Sequence, residues 1–164
     1  MFILDETADE IVQKQAQLQD LVHGKTAMLW LPGQGAGVGA QACLMFGGAA
    51  TGLSVLWLST ITTQHFMYFM IGAAIFAAVH GATFYAVLRG RPQARTCAYR
   101  FGIAMASMST CVAIACLVRS AKVPLAIAAA GLTLNVLAIR LIAGPSYALL
   151  SAIFRAQRAH MDTH

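Results

Sequence analysis

The sequence predicts an all-α integral membrane protein: four transmembrane helices in two hairpins, flanked by amphipathic N- and C-terminal helices. Three observations carry that expectation. Hydrophobic residues make up 59% of the 164-residue chain and charged residues only 10%, whereas a soluble domain has roughly a quarter of its residues charged. Mean hydropathy is +0.68, and the apolar runs exceed the roughly 18 residues that mark a membrane span. The charges fall between or outside those runs, above all in the stretch Arg89-Gly-Arg-Pro-Gln-Ala-Arg-Thr-Cys-Ala-Tyr-Arg100, which has no acid. Such a stretch is too costly to bury in hydrocarbon, so it fixes where the chain leaves the bilayer.

Three regions follow: an acidic segment over 1–26, a transmembrane domain over 27–145 and a basic tail over 146–164. An amphipathic helix is expected over 6–23. Thr7-Ala-Asp-Glu10 matches a capping box, in which the hydroxyl accepts an orphan N–H and the carboxylate reaches back. Acids in this turn suit the positive end of the helix dipole. Ile11, Leu18 and Val22 form a narrow apolar face that needs a partner. The acidic charge points to protein rather than to an anionic membrane surface. His23-Gly-Lys-Thr26 resembles the end of a phosphate-binding loop, but the position that should hold its first glycine is Gln19, so no nucleotide site is expected.

The apolar run from Ala27 to Ile61 is too long for one straight span, since its helix would run to about 52 Å. Pro32, Gly33, Gly35, Gly37 and Gly39 interrupt it. A short interfacial piece with Trp30 and a flexible glycine elbow should therefore precede the first span, at about 40–61. The second span is placed at 66–88, with Tyr68 and Tyr85 as aromatic anchors. The third is placed at 101–118 and the fourth at 123–143, joined by the turn Arg119-Ser-Ala-Lys122. Pro124 falls in the first turn, where its missing N–H costs nothing. Gly144-Pro145 ends the helix. In the tail, Leu150, Ile153 and Phe154 face one way and Arg155 and Arg158 provide the basic end, as in an interfacial helix.

The net charge of +5 is read as a topology signal rather than a nucleic-acid footprint. With both termini inside, the inner side receives Lys14, Lys25, Arg89, Arg91, Arg95, Arg100, Arg155 and Arg158, and the outer side only Arg119 and Lys122. That asymmetry obeys the positive-inside rule. The arginines of the loop and tail are candidate contacts for a partner subunit or for anionic lipids such as cardiolipin. An acidic start argues against a secretory signal or an Arg-rich transit peptide. Cys43, Cys97, Cys111 and Cys116 form no CxxC, so neither disulfides nor zinc are expected.

Within the spans, close packing of small residues joins helices that have no hydrophobic force between them. Gly48 and Gly52, then Ala73, Ala77 and Gly81, then Ala128, Gly131 and Ala138 form such stripes. Asn135 continues the last one and should hydrogen-bond between helices, for about 0.6–2 kcal/mol. His80 adjoins the Ala77–Gly81 stripe and is the one ionisable group near mid-span. Its readings are a proton carrier or ligand, and a neutral histidine bonded across an interface; without an acidic partner the second is favoured. Arg140 lies a turn from the helix end and can snorkel to the inner interface. Met67 and Met70 lie away from Met105, Met108 and Cys111, so a copper site is not expected. No paired carboxylates, Ser/His/Asp set or HExxH motif appears. No enzymatic activity, metal or cofactor is expected.

Lys14-Gln-Ala-Gln-Leu18-Gln19, followed by Leu31-Pro-Gly33 and an apolar helix with Gly47-Gly48, resembles the N-terminal pattern of the cytochrome c oxidase subunit VIIa family. That family has a polar helix, a glycine-bearing bend and one span with a glycine pair, and it supplies no catalytic residue. The resemblance covers about the first 60 residues. The usual lysine before the bend's glycine is Pro32 here, the spacing between blocks differs, and three further spans have no counterpart. The resemblance implies a non-catalytic accessory subunit of a respiratory complex, in the mitochondrial inner membrane rather than a bacterial one. The alternative is a small oligomeric channel or transporter with His80 and Asn135 lining its path.

Overall fold

The computed structural model describes residues 2–23, 31–59, 63–91 and 93–162. Its helices are α1 (Phe2–Lys14), α2 (Ala16–Val22), α3 (Gln34–Leu58), α4 (Thr63–Leu88), α5 (Ala94–Val118), α6 (Lys122–Ala143) and α7 (Pro145–Asp162). Among the described residues there is no strand. Helices α3 to α6, of 22 to 26 residues, are about 33–39 Å long at 1.5 Å per residue. All are long and apolar enough to cross a bilayer, as a multi-pass membrane protein requires. The His23-Gly-Lys-Thr26 pattern and Trp30 lie largely or wholly outside the described residues.

The first span begins earlier than the glycines predicted. Only Gly33 turns, with φ 81°, and Gln34 closes the turn: its Oε1 accepts the Leu31 N–H at 3.1 Å. Gly35, Gly37 and Gly39 then run on as helix. Helical glycine costs about 1 kcal/mol, less than leaving backbone polar groups unsatisfied in an apolar setting. The third span also starts early. Helix α5 begins at Ala94, so the expected loop over 89–100 contracts to a turn around Gly90, which adopts φ 60°. Arg91 N–H donates to Ala86 O at 3.1 Å and Gly90 N–H to Val87 O at 3.0 Å, a Schellman closure in which glycine takes the left-handed position.

Thr7 lies inside α1 and not at its start, so the expected capping box does not cap this helix. The N-terminal segment is two helices broken at Gln15. Their buried face is Ala8, Val12, Leu18 and Val22, while Ile11 is 38% exposed. The partner this face needs is within the chain: it packs on Ala148, Ala152 and Ile153 of α7. Arg155 Nη2 donates to Asp9 Oδ1 at 2.8 Å and ties the two together.

The two expected hairpins are unequal. Helix α6 packs closely on α5 and most extensively on α3, its neighbour in space but not in sequence. The α3 face is Ala40, Leu44, Gly47, Thr51 and Ser54, and the α6 face Ala128, Gly131, Asn135, Ala138 and Ile142. Alternating steps of three and four keep a stripe on one side of a helix, and the glycines let the backbones meet. A Cβ at Gly131 would lie 3.0 Å from Gly47 O. Helix α4 stands at the edge. Only 6% of its apolar window is buried in the molecule, against 22–28% for the other three.

Helices α1, α2 and α7 and the Gly90 turn lie at one end of the bundle, since Arg158 Nη1 reaches Arg89 O at 3.5 Å and α7 packs on α1 and α2. At the other end Arg119 Nη1 donates to Leu58 O at 2.9 Å.

Candidate functional site

Hydroxyls in transmembrane helices commonly bond back to the preceding turn, and Thr51 and Ser109 do so, to Gly47 O at 2.8 Å and Met105 O at 2.9 Å. The packing of α3, α5 and α6 brings them within 2.6 Å of each other. Asn135 Nδ2 donates to Ser109 Oγ at 2.9 Å. Two hydroxyl protons serve three acceptors here, so whichever hydroxyl bonds the other releases its carbonyl, which keeps its helical N–H. Thr51, Ser109 and Asn135 are all fully buried. The node contains only neutral amide and hydroxyl groups. Such groups carry no charge at ordinary pH and here bond one helix to another.

Asn135 is therefore where the sequence placed it, in a helix contact, but Asn135 Oδ1 has no hydrogen-bond partner. It faces Gly47, where a Cβ would lie 2.5 Å away. Thr51 and Ser109 escaped the sequence reading because serine and threonine satisfy themselves locally. The available signal was that Thr51 lies four residues from Gly47 and shares its face.

A second polar group sits at the end of α6. Arg95, expected to meet lipid or a partner, is instead 1% exposed. Its Nε donates to Ile142 O at 3.0 Å and its Nη2 to Ala143 O at 3.0 Å and Gly144 O at 3.4 Å. These are carbonyls at the last turn of α6, where a cation also meets the negative end of the helix dipole. Burial pushes the Tyr147 phenol above its ordinary value, while Gln41 and the Arg95 cation pull it down. Neither the Tyr147 hydroxyl nor the Gln41 amide meets full hydrogen-bond geometry. Gln41 was legible as an amide inside an apolar run; Tyr147 was not.

His80 stacks on Phe76 at 5.8 Å and lies 6.2 Å from Phe101. Its Nδ1 has no partner. Asn135 lies elsewhere, bonded to Ser109 in the α3–α5–α6 interior. Gly48 and Gly52 receive α4 rather than α6: a Cβ at Gly48 would strike Phe76, and one at Gly52 would touch Phe69 at 3.3 Å. Gly131 is buried against α3, whereas Ala77 and Gly81 are exposed, with nothing within 4 Å of a Cβ at Gly81.

The remaining cations divide by location. Arg155 is engaged with Asp9. Arg100 and Arg140 are exposed on α5 and α6, and Arg89, Arg91 and Arg158 gather beside the Gly90 turn. No group of three His, Cys, Asp or Glu residues that could hold a metal ion occurs among the described residues. No protein-family model, curated protein or solved structure matches this chain.

Proposed function

We propose that this chain is a non-catalytic membrane subunit that joins a larger complex through the outer face of α4. The observation that carries the reading is the exposure of that helix, 6% buried over its apolar window. Phe69 and Phe76 fix its inner side to Gly52 and Gly48. Ala73, Ala77 and Gly81 run along an exposed flank beside that contact, and a Cβ at Gly81 would meet nothing within 4 Å. Small residues let another helix approach to backbone distance. His80 lies on the inner side, stacked on Phe76. The Thr51–Ser109–Asn135 node and Arg95 support the same reading, since the first bonds helix to helix and the second caps a helix end.

The resemblance of the first 60 residues or so makes cytochrome oxidase of the mitochondrial inner membrane the first complex to look for. Gentle solubilisation, purification through a tag on this chain and mass spectrometry of what comes with it test the reading. Stoichiometric heterologous membrane subunits are expected. Ala77→Leu with Gly81→Leu should abolish their recovery while leaving the monomer's helicity and melting unchanged. Recovery of a pure homo-oligomer that conducts ions in liposomes would refute the proposal.

A further inference from the structure

We infer that the cleft between the end of α4 and α7 binds the headgroup phosphate of an anionic phospholipid. The cleft has a volume of about 340 Å³ and is lined by Tyr85, Leu88, Arg89, Arg91, Phe154 and Arg158, with Met161 and Asp162 at its edge. A glycerophosphate group is small enough for such a space, since ligand sites begin near 300 Å³. Three guanidinium groups and one carboxylate leave the lining positively charged. Arginine offers planar, forked donors that match phosphate oxygens.

The side chains are already arranged for an anion. Arg89 Nε donates to Tyr85 Oη at 2.7 Å, and its guanidinium lies 5.2 Å from the centroid of the same ring. That holds the fork over the cleft with its terminal nitrogens left over. Arg158 is tethered to Arg89 O and, at 3.5 Å, to the Asp162 carboxylate. Both contacts are long and exposed and therefore weak, so a phosphate that accepts from several forks at once can displace them. Asp162 acts as an internal competitor. Leu88 and Phe154 give the cleft an apolar wall, and Leu88 ends a span, which places the site at headgroup depth with room for acyl chain beside it. A soluble phosphate would use the guanidinium groups but gain nothing from that wall.

The test is native mass spectrometry of the full-length protein in detergent with phosphatidylglycerol or phosphatidylcholine added. Wild type should retain phosphatidylglycerol in preference, weakening as salt rises. Each Arg→Gln change at 89, 91 or 158 should lower that preference about fivefold. R89K/R91K/R158K keeps the charge that sets topology yet should also lose binding, because the forks are gone. D162N should raise retention. Arg100→Gln with Arg140→Gln, at the same end but outside the cleft, should change nothing. Equal losses from the second set would show diffuse surface attraction and overturn the site. Occupancy by inorganic phosphate as tight as by lipid would overturn the lipid assignment, as would a D162N protein that binds no better than wild type.

Discussion

At Asn135 a single amide decides how closely two helices meet. Its Nδ2 is bonded to Ser109 while its Oδ1 fills the space that a side chain at Gly47 would occupy. Gly47→Ala should destabilise the protein by about 1–3 kcal/mol through overpacking, although alanine is the better helix former. Gly35→Ala, with nothing within 4 Å of the added atom, should instead stabilise by up to about 1 kcal/mol. Steric trapping or denaturant titration in detergent distinguishes the two. Arg95 is the other decisive residue. Arg95→Met removes donors from the end of α6 and should cost at least about 1.5–3 kcal/mol, the worth of a bond to a charged group, seen as a lower melting temperature. Tyr147 gives a pH signature. Its phenol is raised in the folded protein, so the neutral form is the one the fold favours. That contribution is whole below the unfolded tyrosine value of about 10 and falls as pH climbs past it. Stability measured between pH 8 and 11 should therefore drop more steeply in wild type than in Tyr147→Phe.

Among the helices, α4 and α6 show how a stripe of small residues can mean opposite things. Ala128, Gly131 and Ala138 were legible as a packing face, and they are buried against α3. Ala73, Ala77 and Gly81 form a stripe as small, at steps of four, yet are exposed. Spacing states that a face is smooth; it does not state what lies against it. Helix boundaries failed for a related reason. The alternate glycines before Ala40 read as an elbow, and the arginines after Arg89 read as a loop, because local propensity disfavours helix in both. Tertiary burial overrode it: Gly37 packs against Leu150, and Arg95 finds the end of α6. The double change Ala77→Leu and Gly81→Leu separates the element's two roles, since only the outward one should fail.

For the whole molecule, the charge asymmetry survives the correction of individual partners. Arg89, Arg91, Arg95, Arg155 and Arg158 all belong to the end where α1, α2 and α7 gather, and Arg119 lies at the other. On the positive-inside rule the gathered end is the one expected on the cytoplasmic or matrix side. Glycosylation or protease-protection reporters fused at either terminus should report the inner side, and a reporter in the Ser120 turn should report the outer side. One reversed terminus would refute that orientation. The N-terminal pair and α7 should behave as a cap on this end, protected together in hydrogen exchange.

Hydropathy and charge placement alone determined the all-helical class, the four helices long and apolar enough to cross a bilayer, and the break at Gly144-Pro145. They could do so because exclusion of charge from hydrocarbon acts residue by residue along the chain. Tertiary structure alone decided that α6 pairs with α3, that the acidic N-terminal helices are covered by α7, and that Arg95 is an internal cap while Arg89, Arg91 and Arg158 frame a cleft. Those outcomes depend on which faces meet across more than forty residues of sequence, as between Arg95 and Ile142. Apolar helices of similar composition carry almost no local signal about their neighbours, because lipid and a second helix are equally acceptable surroundings for a leucine.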